Sequence, residues 1–171
     1  AIDSEALEIG AVNTIKIKNG KFTGYNTDYY GFKNSLKPHL KPHHKKALVL
    51  GTGGASKAVA FALKSLGIQF DYVSRSQSKN VTYTYESLAI NGIEDYQIII
   101  NCTPLGTFPE VDTCPGIPYK SITSKHLLFD LIYNPAETLF LKNGKSKNAT
   151  IINGLEMLQL QAEKSWEIWN S

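Results

Sequence analysis

The chain has 171 residues, enough for about one domain with something left over, and its 42% hydrophobic content suits a globular protein with a core. Its net charge of +3, from 18 basic and 15 acidic residues, is too small a surplus to point to nucleic acid, and no arginine-rich or aromatic-interleaved run supplies one. Two cysteines make neither a disulfide framework nor a metal site, and neither a signal peptide nor an apolar run long enough for a bilayer is present, so a cytoplasmic location is expected.

The chain opens at Ala1 without an initiator Met, which reads as the middle of a protein. Asp3 to Ile9 is weakly helical and stops at Gly10. Thr14 to Lys18 and Lys21 to Tyr25 alternate apolar and polar residues around Asn19-Gly20, a strong hairpin signal. A helix is expected next, capped by Thr27 or Asp28, with Phe32 and Leu36 on one face, and Pro38 ends it. The basic stretch Lys33 to Lys46, broken by Pro38 and Pro42, reads as a solvated connection. It contains His39, His43 and His44, which lack a carboxylate or cysteine partner for a metal.

From Lys46 onward strands alternate with helices. Ala47 to Leu50 is a buried-strand pattern, Ala55 to Leu66 a helix with Ala58, Ala62 and Leu66 on its apolar face, and Gly67 its stop. Further strands are expected at Phe70–Val73, Tyr96–Ile100, Leu127–Tyr133 and Thr150–Ile152. Helices are expected at Tyr85–Ile90, around Thr138–Leu141, and from Leu155 to Trp169. Trp166 and Trp169 are expected to cover a core or an interdomain surface. The alternation predicts a doubly wound, Rossmann-like parallel sheet with helices on both faces.

The first strand and helix of that series are joined by Gly51-Thr52-Gly53-Gly54-Ala55. Glycines there let the backbone pass close to a pyrophosphate, and the free amides and dipole of the helix N-terminus stabilise its charge. About 20 residues past such glycines an Asp or Glu usually holds the ribose of NAD. This chain has Ser74-Arg75-Ser76-Gln77-Ser78-Lys79. Arg75 can meet a 2′-phosphate with a bidentate fork and Lys79 can add a point charge, so NADP is the cofactor expected; the plain alternative is a solvated strand end.

Taken alone, Asp28 reads as a helix cap, Asn13 as a turn residue, Tyr133 as a core tyrosine and Gln161 as a surface residue. Cys102 reads as a small buried residue, since a nucleophilic role would need a base nearby.

In order, however, the motifs resemble the shikimate dehydrogenase family. They are Gly10-Ala11-Val12-Asn13-Thr14, Gly24-Tyr25-Asn26-Thr27-Asp28, Gly51 to Ala55, Ser74-Arg75-Ser76, Asn101-Cys102-Thr103-Pro104-Leu105-Gly106, Tyr133-Asn134-Pro135 and Asn153 through Ala162. The resemblance implies NADP-dependent reduction of 3-dehydroshikimate to shikimate, with a small-molecule substrate and a monomer or homodimer. It implies a catalytic role for Asp28 and substrate contacts for Asn13, Asp28, Tyr133 and Gln161. It implies cofactor contacts for Gly51, Thr52, Gly53, Gly54, Ala55, Ser74, Arg75, Ser76, Lys79, Leu131 and Gly154. No metal is implied.

The departures are specific. The family's catalytic Lys belongs to an N-terminal substrate domain, and no lysine here matches it. The family usually has Asn-Arg-Thr at Ser74 to Ser76, and commonly Met where this chain has Thr107-Phe108. The expected organisation is therefore a remnant of the substrate domain over residues 1–28, an NADP-binding domain over 29–154, and a C-terminal helix over 155–171 packing back toward the substrate domain. Such a chain is expected to hold the cofactor without full activity. The rival readings are a quinate-type or NAD-preferring relative, and a non-catalytic NADP-binding module.

Overall fold

Three segments carry apolar residues at successive positions, as strands covered on both faces must. In the computed structural model, which describes residues 1–171, they form the middle of a six-stranded sheet. Its strands are β3 (Lys46–Leu50), β4 (Gln69–Ser74), β5 (Tyr83–Thr84), β6 (Ile98–Asn101), β7 (Leu127–Asp130) and β8 (Thr150–Ile152). They follow the order β5-β4-β3-β6-β7-β8, and every pair is parallel. The chain winds outward both ways from β3 and β6, so the crevice at their carboxyl ends is the place where open α/β sheets take ligands.

Strand residues alternate between two layers. Ala47, Val49, Ile98, Ile100, Leu127 and Phe129 pack with α2 (Asp28–Leu36), α3 (Gly54–Ser65) and α6 (Leu155–Asn170) through Phe32, Leu36, Val59, Ala62, Leu63 and Met157. Leu48, Leu50, Ile99 and Leu128 pack with α4 (Tyr85–Asn91) and α5 (Leu139–Lys145) through Leu88, Phe140 and Leu141. The two layers of helices expected from the sequence are both present. Most of these side chains are fully buried, each stabilising the fold by about 1.5–3 kcal/mol.

Outside the sheet, α1 (Ser4–Ile9) is capped by Asp3 and closed by Gly10 at φ 70°. A two-stranded hairpin follows, β1 (Thr14–Lys18) and β2 (Lys21–Tyr25), with Ile17 opposite Phe22. Its turn places Asn19 at φ 53° and Gly20 at φ 72°, the left-handed pair a two-residue hairpin turn requires. The hairpin is fastened to α6: Thr14 Oγ1 lies 2.8 Å from Ser165 Oγ, and Trp169 Nε1 donates to the Ile15 carbonyl at 2.9 Å.

Several sequence expectations are corrected. Neither Thr27 nor Asp28 caps α2 with its side chain; Asn26 Oδ1 accepts from the amides of Asp28 and Tyr29. The Lys33–Lys46 connection is not wholly solvated, since α2 runs to Leu36 and His44 is buried, accepting from the Lys41 amide. Strand β7 ends at Asp130 and does not reach Tyr133, because the Ile132 amide turns back to the Asp130 carboxylate. The two-residue β5 has no apolar run to announce it. Trp166 and Trp169 are both exposed, so of the two coverings expected for them the core is ruled out.

Candidate functional site

The turn after β3 carries the first element of the site. Gly51 sits at φ +99°, where a side chain is strained, and a Cβ there would stand 3.1 Å from Thr103 Cγ2 and 3.3 Å from the Cys102 carbonyl oxygen. Gly53 caps α3 with no side-chain hydrogen bond, and a Cβ on Gly53 or Gly54 would meet nothing within 4 Å. The start of this 12-residue helix thus has no side-chain cap and open space beside its two glycines, as an anion site needs.

Two clefts open on either side of this turn. One, of about 330 Å³, is lined by Gly51, Thr52, Gly53, Ser74 and Arg75, with Tyr85 and residues 102–105 opposite. No carboxylate lines it. The Tyr85 hydroxyl is buried there without a partner, and burial first, then the nearby Cys102, pushes it up to about 12 against the opposing effect of Arg75. The second cleft, of about 430 Å³, is lined by Asn13, Asp28, Ala55, Leu131, Tyr133, Gly154, Met157, Leu158 and Gln161. Its floor is tight: a Cβ on Gly154 would stand 2.0 Å from the Leu131 carbonyl oxygen.

The structure thus brings Asn13, Asp28, Tyr133 and Gln161 to one cleft, with Ala55, Leu131 and Gly154 beside them. It puts Gly51, Thr52, Gly53, Ser74 and Arg75 in the other. Gly54 opens α3, and Ser76 and Lys79 are exposed on the loop after β4; these three line neither cleft.

Within the second cleft the polar groups orient one another. Asn13 Oδ1 accepts from the Thr27 amide at 2.9 Å, which turns its Nδ2 toward Asp28 Oδ1 at 2.8 Å. Thr27 Oγ1 donates to Gln161 Oε1 at 3.2 Å and lies 3.0 Å from Ser165 Oγ. Burial raises the Asp28 carboxyl above its ordinary range, and the Asn13 hydrogen bond partly offsets this. Such a carboxyl can exchange a proton with a ligand hydroxyl closer to neutrality than an exposed one. No lysine lines this cleft.

Sequence reasoning missed Tyr85 and Ser165. Tyr85 gives no local signal, and Ser165 lies 151 and 138 positions from the hydroxyls it meets. Asn101 and Thr103 stood in a quoted motif but had no role; Asn101 and Asp130, both buried, meet at the carboxyl ends of β6 and β7.

A turn of glycines at a helix N-terminus, on the switch point of a doubly wound parallel sheet, defines a Rossmann-like nucleotide-binding protein. No family model matches the chain. It is 42% identical to a shikimate dehydrogenase (NADP(+)) of Methanococcus maripaludis, over 98% of this chain and 65% of that protein. Among solved structures it is similar to shikimate 5-dehydrogenase of Thermus thermophilus in complex with NADP(H) and shikimate. There the TM-score is 0.85 at 31% identity, over 98% of this chain and 65% of that one. It is also similar to 5-ketofructose reductase of a Gluconobacter strain, with TM-score 0.81 at 34% identity, over 98% and 66%. The chain belongs to the shikimate dehydrogenase family. It spans about 65% of the length of the curated relatives it matches. No helix is long and apolar enough to cross a membrane.

Proposed function

We propose that this chain is the NADP-holding part of a dehydrogenase that interconverts 3-dehydroshikimate and shikimate. The observation that carries the reading is the pair of clefts meeting at Gly51 to Ala55, one with Arg75 and no carboxylate, the other with the Asn13–Asp28 pair. In this reading the adenosine end lies toward Arg75, the pyrophosphate at the α3 amides, and the nicotinamide end toward Ala55, Leu131 and Gly154. Ser76 and Lys79 add polar and positive character at the rim of the Arg75 cleft.

The cofactor, when bound, supplies or takes up a hydride. What the chain contributes is orientation and a proton path. Asp28, held by Asn13, exchanges the proton of the reacting hydroxyl, and Tyr133 and Gln161 bound the space that the substrate occupies. The division into residues 1–28 on the substrate side, 29–154 around the nucleotide and 155–171 bridging them is part of the same reading. Since no lysine lines the Asp28 cleft, the 171 residues by themselves hold NADP without turning shikimate over. The two cysteines are unpaired, as in a reducing cytoplasm.

Separate calorimetric titrations with NADP and NAD, followed by an assay of shikimate oxidation, test this. NADP is expected to bind the more tightly, with no turnover. NAD binding as tight as NADP refutes the cofactor choice, and turnover by this chain alone refutes the incomplete site. Turnover of quinate in preference to shikimate, once a lysine-bearing partner segment is supplied, would refute the substrate.

A further inference from the structure

Asp130 and Asn101 are both wholly buried, at the carboxyl ends of adjacent strands. Asp130 Oδ1 accepts from Asn101 Nδ2 at 3.0 Å and from the Ile132 amide at 3.1 Å, while its Oδ2 accepts from Thr138 Oγ1 at 2.6 Å. The other end of the Asn101 amide faces the cleft wall. Its Oδ1 accepts from the Thr103 amide at 3.0 Å and from Thr103 Oγ1 at 2.6 Å, and Nδ2 also reaches the Leu105 carbonyl at 3.3 Å. Thr103 Oγ1 in turn accepts from the Leu105 amide at 3.3 Å. The methyl of that threonine is the atom standing against Gly51.

An asparagine amide is nearly symmetric in shape, so its neighbours decide which end faces which way. A carboxylate only accepts. Asp130 therefore compels the NH₂ end of Asn101 toward itself and leaves the carbonyl for Thr103. A flipped Asn101 would set NH₂ against the Thr103 amide, donor against donor, and the wall would lose two hydrogen bonds.

We propose that Asp130 is a positioning residue of the nucleotide cleft, setting the Asn101 amide and through it the Thr103–Leu105 wall that faces the glycine turn. This rests on the cofactor reading given above only for the identity of the ligand the wall meets. Asp130 does not line the cleft; it acts through Asn101.

The test uses amide hydrogen exchange at Thr103 and Leu105, with β3 and β6 amides as the internal control, and NADP titration beside it. Asp130→Ala is expected to speed exchange at those two amides by about tenfold or more with the control strands unchanged. NADP is expected to bind about tenfold more weakly. Asp130→Asn is expected to restore both, because the Ile132 amide keeps its side-chain oxygen turned toward Asn101. If Asp130→Ala does not fold, Asp130→Leu gives the same reading with less lost volume. Unchanged protection at Thr103 and Leu105, or a loss shared equally by β3 and β6 and not rescued by Asp130→Asn, overturns the proposal. Failure of the unsubstituted chain to bind NADP would defeat the cofactor reading instead, and the exchange data would still decide whether Asp130 sets the wall.

Discussion

Asn13 and Asp28 lie 15 positions apart, and the amide nitrogen of one donates to the carboxylate of the other at 2.8 Å. That bond lowers a carboxyl which burial raises. Asn13→Ala leaves the burial and removes the offset, so Asp28 should titrate higher than in the unsubstituted chain, as read by NMR of its carboxyl carbon. A carboxyl whose folded value is raised contributes stability below its unfolded value, and that contribution is lost as pH rises through the folded one. The variant should therefore lose more stability than the parent between acid and neutral pH.

The glycines of the turn should separate folding from binding. Gly51→Ala meets both positive φ and the Thr103 methyl, and should destabilise the fold by about 1–3 kcal/mol in denaturant unfolding. Gly53→Ala, at φ −75° with open space around it, should leave stability unchanged or slightly raised. Its methyl occupies the anion's approach, so nucleotide affinity should fall in both variants. Full affinity in Gly53→Ala would move the pyrophosphate elsewhere.

Arg75→Ala removes the guanidinium from a cleft without a carboxylate. Loss of one charge-assisted contact should weaken NADP by about 1.5–3 kcal/mol and leave NAD nearly untouched. Equal losses for both nucleotides in calorimetry would refute its pairing with a 2′-phosphate.

Asp130 gives a stability signature of its own. Burial raises it from 3.8 to about 6 against three hydrogen bonds that favour the charge, and the titratable groups beside it are the Cys102 thiol and the Tyr119 hydroxyl, both raised themselves. Its contribution is fully present below pH 3.8 and lost as pH rises through about 6, on the order of 3 kcal/mol in all. Asp130→Asn should be the more stable chain at pH 8, with the gap closing as pH falls through 6.

Gly31 sits where α2 crosses α6, and a Cβ there would stand 2.5 Å from the Met157 carbonyl oxygen. Gly31→Ala should push the helices apart and lower stability by about 1–3 kcal/mol in thermal or denaturant unfolding.

What the sequence made legible follows from where the forces are local. Ile98 to Ile100 and Leu127 to Phe129 announce buried parallel strands because every residue is apolar, and Asn19-Gly20 announces its hairpin through turn chemistry alone. The end of β7 was not legible, since the apolar run continues to Tyr133 while a side-chain bond from Asp130 turns the chain. Thr27 takes the cap position of α2, as expected, but its hydroxyl meets Gln161 and Ser165, and the side-chain bonds to the first amides come from Asn26 one residue earlier, which nothing local announces. The partners of Thr14 and Thr27 on α6 depend on tertiary packing across more than a hundred residues. Periodicity carries nothing about such pairings.

The helix α6 begins at Leu155, next to the Gly154–Leu131 contact at the floor of the Asp28 cleft. From its middle and end Gln161, Ser165 and Trp169 hold Thr27, Thr14 and Ile15. One rod of 16 residues, about 24 Å long, thus has the cleft floor at its head and the hairpin along its flank. Asn13 and Asp28 are fastened through Thr27 and Gln161 to the same helix that starts at Gly154. The rod therefore also fixes where the hairpin's open face, with Ile15, Ile17 and Phe22, lies relative to that cleft.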